Sequence, residues 1–228
     1  MEVFNSIPVD LEPDKVLKSM NMRGGNRRIE EMVQKLVEVA RSVAKPKVVY
    51  KVSCVDDKDG GTVVIDGVRF TSRVLGINLS QVERIFPYIA TCGMELEEIT
   101  VPPSDVMKSF CFDAIKTMVV RLASAFLRNH LVGYYALGSV SCMSPGSLES
   151  WPLTQQKELF SLFGDAEELI GVKLTKNFVM VPLKSVSGVY FPTEITFESC
   201  QLCPREKCIG RRVPYDPELA KKYREAPV

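Results

Sequence analysis

Apolar residues recur along this chain with two periods. Between residues 27 and 44, Ile29, Met32, Val33, Leu36, Val37, Ala40 and Val43 return every three or four positions, the stripe of an amphipathic helix. Asn26 is placed to cap its start, and Pro46 ends it. A longer stripe, Met107, Phe110, Cys111, Ala114, Ile115, Met118, Val119, Leu122 and Phe126, predicts a helix from a Ser104 or Asp105 cap to residue 131, central to the core. Shorter helical patterns cover 14–22, 79–86 (capped by Ser80), 155–163 and 165–170, with a helical turn over 95–99. Gly171 closes the helix over 165–170, as glycine does in the left-handed conformation. The two-residue period predicts strands over 48–55 and 62–70, a hairpin around the Asp- and Gly-rich turn 56–61. Further strands are expected over 87–93 (buried, running into a Gly turn), 134–143, 174–181 and 185–191. In 174–181, Leu174, Phe178 and Met180 are expected on one face. Residues 1–13 read as an extended arm or edge strand, and Gly24-Gly25 and Gly60-Gly61 as turns. Gly188, inside a strand, marks a bulge or a place where a ligand nears the backbone.

The elements mix helix and strand over residues 1–191 and are followed by a tail of different character over 192–228. With 29 basic and 28 acidic residues in 228, nothing calls for nucleic acid or an anionic membrane as partner. No apolar run reaches membrane-spanning length, and the N-terminus lacks the basic start and apolar core of a signal peptide. A cytoplasmic protein is expected, in which the seven cysteines serve as thiols or metal ligands rather than structural disulfides. Cys54, Cys92 and Cys111 sit in apolar settings and read as core residues. His130, the single histidine, reads as a helix C-terminal cap. Tyr134, Tyr135 and Trp151 read as core or pocket wall, and Arg121 as a surface charge.

Two stretches carry candidate chemistry. Cys142-Met-Ser144-Pro145-Gly146-Ser147 is a loop between a strand and a helix, where free backbone amides can bind a ligand, although most Pro-Gly loops are turns. Cys200-x2-Cys203-x4-Cys208 is a cluster whose thiolates can converge on one metal, with Arg205, Lys207, Arg211 and Arg212 to offset negative charge. An iron–sulfur cluster stands ahead of zinc here, Cys142 is a candidate fourth ligand, and three reduced surface thiols are the bland alternative.

Lys173-Leu-Thr-x-x-Phe178-x-Met180-x-Pro182 followed by Ser185-Val-Ser-Gly188-x-Tyr190-Phe191 closely resembles the C-terminal activation domain of vitamin B12-dependent methionine synthase. The resemblance covers 140–191 most strongly and implies an α+β fold, an antiparallel sheet with packed helices, in which Tyr190, Gly188 and the 144–147 loop line an S-adenosylmethionine pocket. Pro145-Gly146 match an Arg-x-x-Pro-Gly-Tyr loop of that family, with its arginine position falling on Cys142 and its tyrosine on Ser147. A thiol cannot offer the forked donor of an arginine, so S-adenosylmethionine would be held through other contacts. Arg121-Leu-Ala-Ser124-Ala-Phe-Leu-Arg128 resembles a family helix whose two glutamates fall on Ser124 and Arg128, which removes carboxylates that would attract a sulfonium. Stand-alone relatives resemble the tail more closely, with a cysteine cluster followed by Arg-Arg.

The function implied is reductive activation, in trans, of a separate cobalamin protein, a methionine synthase or corrinoid protein. S-adenosylmethionine would be the methyl donor, with an external electron donor. The alternatives are a redox or metal-binding module of the same fold that no longer binds S-adenosylmethionine, and an interaction protein with an inert zinc tail.

Overall fold

The computed structural model describes residues 1–22, 25–59, 61–208 and 210–226; Gly24 and Gly60 of the two expected glycine turns lie outside them. The strands are β1 (Glu2–Phe4), β2 (Lys47–Tyr50), β3 (Ser53–Asp59), β4 (Thr62–Ile65), β5 (Val68–Thr71), β6 (Arg84–Thr91), β7 (Val140–Met143), β8 (Lys173–Leu174), β9 (Met180–Val181) and β10 (Ser185–Pro192). The helices are α1 (Pro13–Ser19), α2 (Arg27–Val43), α3 (Arg73–Asn78), α4 (Val106–Tyr134), α5 (Gln156–Ser161), α6 (Ala166–Ile170) and α7 (Pro217–Glu225). This is the α+β architecture the sequence implies.

The organising strand is β6. Along one edge it pairs antiparallel with β2 (Tyr50 opposite Tyr88) and then with β3 (Ser53 opposite Ile85). Along the other it pairs with β10, Ser185 opposite Thr91 through Tyr190 opposite Phe86. Beyond β10 lies β7, beyond β2 lies β1, and beyond β3 the meander continues through β4 and β5. The short β8–β9 hairpin stands apart.

Side chains alternate across this sheet, so each strand feeds two cores. Phe86, Tyr88 and Ala90 of β6, with Tyr50 and Tyr190, pack on Ala123, Leu127 and Leu131 of α4. Ile85 and Ile89, with Val189, Phe191 and Met143, pack on the opposite face with Trp151, Leu159 and Phe163. A third cluster joins α1, α2 and α4 through Leu11, Val33, Val37, Cys111 and Ile115.

The caps hold as expected. Asn26, Asp105 and Asp165 each accept a backbone N–H of their helix, and Gly171 ends α6 at φ +74°. Other expectations are corrected. The strand expected over 62–70 is a tight hairpin, because Asp66 and Gly67 take positive φ between β4 and β5. The Asp-rich run continues as β3, its carboxylates pointing to solvent or bonding backbone amides of Gly67 and Lys58. The helix starts at Ser72, whose hydroxyl accepts from Leu75 N, rather than at Ser80; residues 84–86 of the expected helix are strand. Phe178 takes φ +60° in the β8–β9 turn and so cannot share a strand face with Leu174 and Met180. Residues 134–139 are helix end and turn, with strand only from Val140. Met107 and Phe110 are exposed near the start of α4, and Cys54 and Tyr134 are exposed as well. Trp151 is fully buried and Arg121 is exposed, as expected. His130 lies inside α4 and caps nothing: its Nε2 is 3.1 Å from Tyr50 Oη, with Phe4 edge-on to its ring.

Candidate functional site

The site forms where β10 and β7 close the sheet. Gly188 is required there by close approach: a Cβ would meet the Met143 carbonyl oxygen and, at 2.7 Å, Ser144 Oγ. The β6–β10 register runs through Gly188 without a shift, so the glycine makes room for the end of β7, and the expected bulge is absent. Register then sets Tyr190 opposite Cys142. The Tyr190 ring lies 4.7 Å from that of Tyr88, nearly parallel, and its hydroxyl donates to the Ser124 carbonyl of α4 at 3.3 Å. Tyr88 Oη is 3.4 Å from Cys142 Sγ.

The tail completes this edge. Glu198 bridges in parallel to Cys142 on the open side of β7. Its carboxylate accepts from Arg212 Nη2 at 2.9 Å and caps the 3-10 turn Ser199–Leu202. Cys142, Tyr88, Tyr190, Glu198 and Arg212 thus form one group of titratable side chains. Burial pushes the Cys142 thiol up to about 11 against the pull of Tyr88 and Arg212, and burial also raises both tyrosines. The charges of Arg128 of α4 and Arg212 act on Tyr190 in the opposite sense.

Pro145, Gly146 and Ser147 turn away to the other face. The chain reverses through Gly146, at φ +80°, whose Cβ would strike Leu153. Gly146 and Ser147 line a cavity of about 640 Å³ with Ser150, Cys203, Tyr215 and Tyr223. Ser147 Oγ touches Ser199 Oγ at 3.4 Å. The seven residues expected around one pocket are therefore divided: Cys142, Ser144, Gly188 and Tyr190 meet at the strand pair, while the Gly146–Ser147 rim opens toward the tail.

The tail is packed against the sheet domain. Tyr223 stacks on Phe197 and donates to Asn78 Oδ1, and Arg73 donates to the backbone carbonyls of Tyr223 and Ala226. Within it, the Arg211 guanidinium donates to the carbonyls of Cys200 and Cys203, both at 3.2 Å, and to that of Arg205. Burial would raise the Cys200 thiol, but N–H groups of Arg212 and Val213 and the Arg212 charge outweigh it and hold the thiol below its usual range. Cys208 is exposed. Among the described residues, no three His, Cys, Asp or Glu side chains gather as metal ligands, so Cys200, Cys203 and Cys208 do not converge here, nor does Cys142 join them. Tyr88, Glu198 and Arg212 were not singled out from the sequence as pocket residues. The signal available for them was the strand register of β6 and the Arg-Arg pair of the tail.

Residues 145–198 match the model of a family described as vitamin B12 dependent methionine synthase, activation domain. Among solved structures, the chain is similar to the crystal structure of the MetH reactivation domain bound to AdoHcy, with a TM-score of 0.57 and 16% identity. That likeness covers 88% of this chain and 82% of the other. No curated protein matches. Among the described residues, no helix is long and apolar enough to cross a membrane.

Proposed function

We infer, from a chain that has the fold of the MetH reactivation domain and carries activation-domain sequence over residues 145–198, that it reactivates a separate cobalamin protein in trans. The partner would be a methionine synthase or another corrinoid protein. The observation that carries the reading is the matched segment itself, which runs from Pro145-Gly146 to Glu198 and so supplies Gly188, Tyr190 and Glu198 of the strand-edge site. In this reading one electron from an external donor reduces the partner's cob(II)alamin, and S-adenosylmethionine then gives its methyl group to cobalt and leaves as S-adenosylhomocysteine.

The residues present suit such a substrate. Tyr88 and Tyr190 form a buried aromatic wall, Glu198 and Arg212 bring opposite charges to the strand edge, and the Gly146–Ser147 rim adjoins, on the other face, a cavity in the size range of small-molecule sites. Tyr190, held between Tyr88 and the Ser124 carbonyl, would position the substrate without having to move first. In the geometry described, Cys200, Cys203 and Cys208 are not gathered as ligands, and Arg211 holds the turn through the carbonyls of Cys200 and Cys203.

The test is reconstitution under anaerobic conditions. The purified chain is mixed with a corrinoid protein in the cob(II)alamin state, titanium(III) citrate and S-adenosylmethionine, and the absorption spectrum is followed. Methylcobalamin and S-adenosylhomocysteine forming in equal amounts, only when the chain is present, is the expected result. Absence of methylcobalamin sinks the reading. The second reading, a redox or metal-binding module without S-adenosylmethionine, is favoured by Cys142 and Ser147 standing at the family's arginine and tyrosine positions. It predicts no nucleoside binding, and iron or zinc in stoichiometric amount in the anaerobically purified protein.

A further inference from the structure

We propose that Arg212 and Glu198, both contributed by the tail, recognise the amino-acid end of the S-adenosyl substrate. This rests on the reading above and adds the residues that set its specificity. An α-amino acid is a zwitterion, and a site for it needs a carboxylate and a guanidinium or ammonium group close together. Arg212 and Glu198 are such a pair, at 2.9 Å, with 59% and 30% of their side chains exposed. Both ends are therefore open enough to exchange part of their mutual contact for a ligand.

Their position is set by the fold. Glu198 is bridged to Cys142, and Cys142 is the cross-strand neighbour of Tyr190. The capping of the turn Ser199–Leu202 fixes Glu198, whose Oε2 accepts from Arg212 Nη2. Along this edge of the sheet, Glu198 is the acidic partner that the structure pairs with Arg212. A guanidinium binds a carboxylate through two parallel N–H donors, and such charge-assisted bonds are the strong ones. An ammonium group, or the positive sulfur of S-adenosylmethionine, would turn to Glu198.

The experiment is calorimetric titration of the whole chain with two ligands. S-adenosylhomocysteine carries the amino-acid arm; 5′-methylthioadenosine carries a methyl group in its place. The wild-type chain should prefer the former by about a hundredfold, since two charge-assisted contacts are at stake. R212Q and E198Q should each remove about tenfold of that preference and leave 5′-methylthioadenosine binding unchanged, which also shows that the variants are folded. R212K should restore only part of the loss, because an ammonium group lacks the fork. Decarboxylated S-adenosylmethionine separates the two roles: its affinity should fall in E198Q and hold in R212Q. If both variants keep the wild-type preference, the assignment to Arg212 and Glu198 is wrong while the functional reading stands. If the wild-type chain binds neither nucleoside, the functional reading itself falls, and the assignment with it.

Discussion

The two faces of β10 are built for different purposes. On one, Val189 and Phe191 enter a layer with Met143, Trp151, Leu159 and Phe163, where almost every contact is between apolar atoms. On the other, Tyr190 meets Tyr88 and Cys142, and each polar tip has a partner: a carbonyl for Tyr190, a thiol for Tyr88, a hydroxyl for Cys142. The same strand carries both because its side chains alternate. The first face holds the sheet together. The second buries its two tyrosines almost as well, leaves Cys142 half-buried, and keeps hydroxyl and sulfur atoms beside charged groups of the tail. Stability and chemistry are thus separated by residue parity, and substitutions on the two faces should differ accordingly.

The largest effect belongs to the apolar face. Trp151 is fully buried, edge-on to Phe70 at 6.2 Å, and its indole N–H donates to Gln155. Trp151→Ala should cost about 3–5 kcal/mol in denaturant unfolding; a loss under about 1 kcal/mol would mean that this face collapses easily and is not the structural one. Gly188→Ala comes next, at about 1–3 kcal/mol, because its methyl group must displace Met143 and Ser144 at the end of β7. The same variant should react faster at Cys142 with a thiol reagent, and unchanged reactivity would show that β7 had not moved. Tyr190→Phe should cost only about 0.5–1.5 kcal/mol, since it removes one hydrogen bond and keeps the ring on Tyr88. Its nucleoside affinity should fall by more than that stability change implies.

The smallest effect is in protons. Burial raises the Cys142 thiol from 9.0 to about 11, so the folded chain holds a proton that the unfolded chain releases. Its contribution to stability is full below pH 9 and is lost as pH rises toward 11. Tyr88 and Tyr190, raised by burial, act in the same sense, so the test is a difference. Melting temperatures of wild type and Cys142→Ala, compared at pH 7 and pH 10.5, should show a shallower alkaline fall in the variant. Identical slopes would mean that the thiol is already in contact with water.

Features decided by local chemistry were legible in the sequence. Asn26, Asp105, Asp165 and Gly171 act on their own turn of helix, and each does what its residue type favours. Where local signals competed, reading failed: Asp66-Gly67 was hidden inside an apolar run, and the charged run 56–59 was read as turn although its backbone pairs with β4. Gly188 was legible as a close approach but not as an approach by the protein's own Met143 carbonyl. Two of the five side chains of the strand-edge group, Tyr190 and Cys142, were legible. Tyr88, 54 residues before Cys142, and Glu198 with Arg212 come from distant segments, and no periodicity announces which of them will meet.

The pairing of β6 also bears on how the chain is made. Its first edge is satisfied by β2 and β3, which precede it, but its second edge waits for residues 185–190. A ribosome therefore releases the central strand, and the whole of α4, before the segment that closes the sheet exists. During that interval the row of N–H and C=O groups along residues 86–91 is an open edge in the middle of the future core, the kind of surface on which nascent chains aggregate. Pairing over such sequence distance is also slow to find. That edge closes only once β10 is available to pair, and the strand that covers it is the one that brings Tyr190 into place.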